Sequence, residues 1–344
     1  MMYRVYILFV ALLFVNCSNN AGNNKTQKEV SVEKVTQEPA ACVVEPMAII
    51  PIFDADSAYA FVARQVAFGP RVPGTATHRK CGNYLVEKLR SYGADVITQN
   101  ADLKAYNGDV LKACNIIAQF QPEKEERVML CAHWDTRPWA DSDPERSNHY
   151  KPIPGANDGG SGVGVLLEVA RQLSMNPCAV GVDIILFDAE DYGLHENDVE
   201  KYYSNRHSWA LGSQYWSCFP HTPGYCPRYG ILLDIVGAPN SIFHHEYYSM
   251  YYAANVVRKV WQWAEKTGYS AYFVNEEGGA ITDDHVYVNS TAGIPCIDII
   301  NYDPESPNGF GPYHHTMKDN MDWIDTNTLK AVGQTVLTVI YNEK

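Results

Sequence analysis

The sequence predicts a single α/β domain whose largely parallel central sheet is sandwiched between helices. Three observations lead there. From about Ile50 onward, six apolar runs of strand length are bounded by turn residues, and most are too continuous to leave one face in water. Helical stretches separate the later runs, as the crossovers of a parallel sheet require. Residues 50–344 contain no repeat, low-complexity tract or linker, and a chain that is 46% hydrophobic and 19% charged has the material for a large core.

An opening helix is expected near Asp56 and a second over 77–92, stopped by Gly93. The strands are the apolar runs 94–98, 113–120, 128–132, 182–187, 231–235 and 294–300. Helices are expected at 162–173, at about 205–216 and over Tyr247–Lys266, with a closing helix over Thr326–Tyr341.

Ahead of this domain, residues 1–16 (MMYRVYILFVALLFVN) join the single charge of Arg4 to an apolar run over 5–15 and read as a signal peptide. The run is too short to span a bilayer. Residues 17–49 form a polar tether. Two fates stay open: lipidation of Cys17 after cleavage, which anchors the chain at the cell envelope, or release as a periplasmic or secreted protein. The preceding Phe14-Val15-Asn16 departs from the usual bacterial lipoprotein pattern. Either fate places the domain in an oxidising compartment, where Cys218 and Cys226, bracketing FPHTPGY, either pair or stay free thiols.

A formal net charge of −13 offers nothing to track a phosphate backbone, so nucleic acid is excluded as a partner. The nine cysteines contain no C-x-x-C pair. A metal held by this chain is therefore held by carboxylates and imidazoles.

Such groups converge where the predicted topology puts ligands, at the carboxyl ends of the strands. His133 and Asp135 follow the strand 128–132. Asp158, in GANDGGSG, opens the next helix, with Gly155, Gly159, Gly160, Gly162 and Gly164 letting the backbone turn tightly around it. Glu190 and Asp191 follow the strand 182–187, and Asp234 closes the strand 231–235. A lone Asp after a strand is usually a helix cap. Several on one sheet edge point to a metal site with zinc chemistry, three protein ligands leaving a position open. A phosphate-cradling loop is excluded because no G-K-[ST] follows the glycines. In the adjacent pair Glu190–Asp191, one carboxylate can bind metal while the other moves protons.

HWD at 133–135, GANDGGSG at 155–162, DAED at 188–191, LLDIVGAPN at 232–240, TDDH at 282–285 and HHTMKDN at 314–320 together resemble the zinc-dependent glutaminyl-peptide cyclotransferases of animals and some bacteria. That family shares its fold with the co-catalytic zinc aminopeptidases, and the resemblance runs from about Ile50 to the C-terminus. It implies one zinc on Asp158, Asp191 and His315, a proton-transferring Glu190, and Asp234 and Asp283 sharing hydrogen bonds with it. Phe310 and His314 fall in the substrate pocket. The family usually has Glu at the position of Asp191 and Trp at that of His314, and a second pocket Trp has no counterpart in YGLHEND at 192–198. His244 and His245 match no motif and are expected on the surface, as are most of the 23 tyrosines.

The implied activity of the catalytic domain 50–344 is closure of N-terminal glutaminyl residues of peptides and proteins to pyroglutamate with release of ammonia, by a monomer. Asp234 and Asp283 are expected to raise the Glu190 pKa for that task. The alternative is a two-zinc aminopeptidase using His133, Asp158, Asp191, Asp234 and His315, with Glu190 as hydrolytic base. A metal-free binding module is disfavoured, because clustered acids repel one another and a scaffold without function has no use for them.

Overall fold

The computed structural model describes residues 50–306 and 309–344; the expected signal peptide at 1–16, the expected tether at 17–49 and Cys17 lie outside the described residues. The elements run α1 (Ala55–Val66), α2 (Ala76–Ser91), β1 (Asp95–Lys104), β2 (Val110–Phe120), β3 (Arg127–His133), α3 (Gly160–Met175), β4 (Gly181–Phe187), α4 (Tyr202–Asn205) and α5 (Leu211–Cys218). There follow β5 (Gly230–Asp234), β6 (Phe243–His245), α6 (Tyr247–Lys266), β7 (Phe273–Glu277), α7 (Asp284–Ser290), β8 (Cys296–Ile300) and α8 (Thr326–Tyr341).

Six strands form one sheet in the order β1-β2-β4-β3-β5-β8. The four strands β4, β3, β5 and β8 are parallel, while β2 pairs antiparallel with both β4 and β1. Both faces of the parallel half are buried, which is why its sequences are continuous apolar runs. Leu130, Ile184, Leu186, Ile231 and Leu233 point into the larger core beneath α1, α2, α3, α6 and α8. Their neighbours Met129, Cys131, Ile185, Phe187 and Leu232 meet Trp216 of α5 and Val288 of α7 on the other face.

α3 is the central helix. Gly162 is glycine because a Cβ there would stand 2.2 Å from the Leu233 carbonyl oxygen of β5. This close approach brings the start of α3, and Asp158 ahead of it, over the ends of β3 and β5. Gly159, at φ +63°, makes the turn into the helix.

The structure corrects several sequence expectations. β1 runs on to Lys104 as a ten-residue edge strand, paired with β2 through a tight turn containing Asn107-Gly108. Its polar alternation masked it. The helix expected at 205–216 is two helices, α4 and α5. Between them Ala210 takes φ +56°, and the Ala210 and Leu211 N–H groups donate to the carbonyls of Glu190 and Ala189. β6, β7 and α7, all short, were not expected. His244 is buried and His245 half-buried on β6, so neither is a surface residue. Cys218 and Cys226 are both free and exposed.

Candidate metal centre

The site sits at the carboxyl edge of the parallel strands. His133 ends β3, Asp234 ends β5, Glu190 and Asp191 follow β4, Asp158 precedes α3, and Asp283 caps α7, accepting the Asp284 N–H. His315 arrives from the long connection between β8 and α8. Three turns that aim these side chains are left-handed at residues that disfavour it: Ala189 before Glu190 (φ +55°), Ile235 after Asp234 (φ +49°) and His315 itself (φ +54°). Carboxylates hold the Ala189 turn, and separately the Asn157–Asp158 approach to α3, in place. Asp135 accepts the N–H groups of Glu190 and Asp191 at 3.1 and 3.2 Å, and Asp319 accepts those of Asn157 and Asp158 at 2.7 and 3.1 Å.

His315 Nε2 lies 3.3 Å from Asp191 Oδ1 and 3.5 Å from Asp158 Oδ2. Two atoms bound to one tetrahedral zinc at about 2.0–2.1 Å stand roughly 3.3 Å apart, so this spacing fits a shared ion. Asp191 Oδ2, buried and without a hydrogen-bond partner among the described residues, adds an unused donor to a set of two carboxylates and an imidazole. Zinc fits these residues. His314 also approaches Asp158 Oδ2, at 4.0 Å, and it is Asp158, His314 and His315 whose donor atoms all converge closely enough to hold an ion, with Asp191 reaching that set through His315. On the other side of Asp158, His133 Nε2 is 3.1 Å from Asp158 Oδ1 and 3.1 Å from Asp234 Oδ1. Those three also converge closely enough to hold an ion.

The imidazole of His315 is clamped between rings. His314 stacks on it at 3.6 Å between centroids and is itself covered by Phe310 at 4.3 Å. On the other side lies Trp209, 5.8 Å away and within 9° of parallel. Trp209 escaped the sequence reading because the interruption between α4 and α5 delivers it; a tryptophan beside a predicted helix break was the available signal. Arg137, fully buried, stacks over Trp209 and forks onto Asp141 at 2.5 and 2.7 Å, 3.8 Å from Asp191.

The electrostatics separate the acids. Burial raises Glu190 well above the ordinary glutamate value, and Asp283, Asp191 and Asp284 add to it while His133 opposes. Asp283 thus contributes as expected; the largest further charge effects come from Asp191 and Asp284 rather than Asp234. Burial likewise pushes Asp234 up to about 7, against the charge of His133. Asp158 goes the other way: burial would raise it, but the hydrogen bond and charge of His133 hold it ionised. Burial and Arg137 depress His315 to about 4, keeping its imidazole neutral, the form that binds metal. The Glu190 carboxylate alone among the acids lining the pocket has no hydrogen-bond or ion-pair partner among the described residues.

These groups line a cavity of about 660 Å³ that also includes Tyr302, Ile281, Leu194 and Arg206. A second cavity, of about 690 Å³, lies between α2 and the β1–β2 hairpin, lined by His78, Trp134 and Cys114. There His78 Nε2 contacts both oxygens of Asp188, at 3.0 and 2.8 Å, and stacks on Trp134.

Fold and site together define an α/β enzyme with a carboxylate-and-imidazole metal centre at the carboxyl edge of its sheet. The chain belongs to peptidase family M28, whose pattern matches residues 115–340. It is similar to a Zn-dependent exopeptidase from Parabacteroides distasonis, with 57% identity and a TM-score of 0.84, covering 86% of this chain and all of that one. It is equally similar to the glutaminyl cyclase of Tannerella forsythia, with 56% identity, a TM-score of 0.83 and the same coverage. Among curated proteins, Aminopeptidase YwaD of Bacillus subtilis and Glutaminyl-peptide cyclotransferase of Drosophila melanogaster are each 26% identical, over 74% and 51% of this chain. The chain spans about half the length of these two relatives.

Proposed function

We infer that this chain is a glutaminyl-peptide cyclotransferase, converting N-terminal glutaminyl residues to pyroglutamate and ammonia. The observation that carries this reading is the uncommitted, buried Glu190 carboxylate beside the acids of the metal centre. Its raised pKa suits a group that must accept a proton and give it back near neutrality. The substrate brings its own nucleophile, the α-amine, and its own electrophile, the γ-carboxamide. Asp158, Asp191 and His315 would hold one zinc per chain, which when bound supplies a Lewis acid to the carboxamide oxygen. Glu190 takes the proton from the attacking amine and delivers it to the departing ammonia. Asp234 and Asp283 would share hydrogen bonds in that network. Phe310, His314 and Trp209 form the wall against which the glutaminyl side chain folds, and enclosing it favours ring closure over the extended chain.

The convergence of His133, Asp158 and Asp234 favours a second reading, an aminopeptidase in which these three residues would hold a further ion that helps activate water. One assay separates the two. The protein is incubated with a Gln-peptide and a Leu-arylamide, and ammonia and arylamine are measured; arylamine without ammonia overturns the cyclase. We further propose export through residues 1–16, with Cys17 as a lipid anchor at the cell envelope and the domain acting as a monomer. Labelling with a fatty-acid analogue, lost in Cys17→Ala, tests the anchor.

A further inference from the structure

We propose that Arg206 recognises a carboxylate on the substrate beyond its N-terminal residue, so that the site prefers peptides with an acidic second residue. The inference rests on the reading of the cavity as one that takes a peptide by its N-terminus. A cavity of about 660 Å³ is far larger than one glutaminyl residue needs, so the chain that follows remains within it. Its floor is acidic, with Asp158, Glu190, Asp191, Asp234 and Asp283 among the lining groups. Two cations line it, and they differ. Arg137 is buried and spent: it forks onto Asp141 and donates to the carbonyls of Asp191 and Leu194. Arg206, at the end of α4, is exposed and has no hydrogen-bond or ion-pair partner among the described residues.

Two carboxylates of the preceding segment, Glu196 of the same cavity wall and Asp198, are engaged elsewhere. Asp198 pairs with Lys201 at 2.8 Å and also accepts the Tyr106 hydroxyl. Glu196 accepts the Ser142 hydroxyl at 2.9 Å, and its N–H donates to Asp141 beside the metal centre. A guanidinium offers a planar fork that matches a carboxylate in two parallel hydrogen bonds, and an unpaired one at a cavity rim leaves that fork available. A carboxylate can reach Arg206 from an acidic second side chain or from the C-terminus of a dipeptide.

The experiment compares kcat/KM for ammonia release from Gln-Glu-Phe-amide and Gln-Lys-Phe-amide in the wild type, Arg206→Gln and Arg206→Lys. The free acid and amide of Gln-Ala test the C-terminal source. At low salt the wild type should favour the glutamyl peptide by about 2–5-fold, mostly through KM, and the preference should shrink as salt rises. In Arg206→Gln the ratio should collapse toward one, with partial recovery in Arg206→Lys. A ratio that Arg206→Gln leaves unchanged overturns the proposal. The same peptides are titrated calorimetrically in parallel. If none releases ammonia, the cyclase reading falls, while the Arg206-dependent order of affinities still decides the recognition.

Discussion

The two cavities have similar volumes and similar ingredients, an imidazole against a carboxylate with a tryptophan alongside, yet only one is built for chemistry. Behind the second cavity the buried groups around Asp188 are paired. Asp188 takes His78 on both oxygens and also accepts the N–H groups of Cys114 and Ala189, and the Trp134 indole N–H donates to the Cys114 carbonyl. In the first cavity carboxylates outnumber donors: one Asp191 oxygen and one Asp283 oxygen are buried without partners, and Glu190 is uncommitted. Buried polar groups are ordinarily satisfied, so a local surplus of acceptors marks the place where a cation and a moving proton belong. A His–Asp contact by itself marks nothing.

The sharpest way to break this comparison is to remove an imidazole from the first cavity. His315→Ala should abolish ammonia release and strip the zinc, whereas His133→Ala, which removes a partner of Asp158 rather than a ligand, should cost about 10–100-fold. Metal analysis of both variants reads the difference, and equal collapse would overturn the one-ion site.

Next in size, Glu190→Gln should lower turnover by about 10²–10⁴-fold with zinc retained. The wild-type pH profile tests the same group. Because burial raises Glu190, its base form is present only above that elevated pKa, and activity is lost as pH falls through it. The acid limb should therefore lie at higher pH than the roughly 4.3 of an ordinary glutamate. A limb at the ordinary value would show that Glu190 does not limit the rate.

In the second cavity the same kind of change should speak through stability. Asp188→Asn leaves buried N–H groups weakly paired and should cost about 1–3 kcal/mol in denaturant unfolding, with zinc content unchanged. Loss of zinc without loss of stability would mean the two cavities are not distinct in kind. The smallest effect is expected at the free thiols: Cys218→Ala and Cys226→Ala should shift stability by no more than about 0.5 kcal/mol, and reductant should leave the melting temperature unchanged.

The parallel half of the sheet was legible because burial on both faces writes an unbroken apolar run, as in β3 and β4. Once those strands are placed, the acids that follow them fall on one edge by topology alone, which is why Asp158, Glu190, Asp191 and Asp234 could be named together. β1 was only half legible, since an edge strand with the pattern DVITQNADLK carries no continuous signal. The break before α5 was illegible for another reason. At the start of α5 the Ala210 and Leu211 N–H groups reach the carbonyls of Glu190 and Ala189, a contact about twenty residues distant that no local preference encodes. Trp209 went with it. His244, buried on a three-residue strand, was misplaced because β6 is too short to show a period.

The left-handed turns at Ala189, Ile235 and His315 carry a consequence for how the molecule meets heat. Each holds a residue where its side chain crowds the backbone, at a cost of order 1–3 kcal/mol that the surrounding packing must outweigh. On warming, that packing loosens first where the opposing strain is greatest, so these three turns should relax while α3 and the parallel strands remain folded. The enzyme is then expected to lose its working arrangement at a lower temperature than its secondary structure, and to regain it on cooling, since the scaffold that imposes the turns never left.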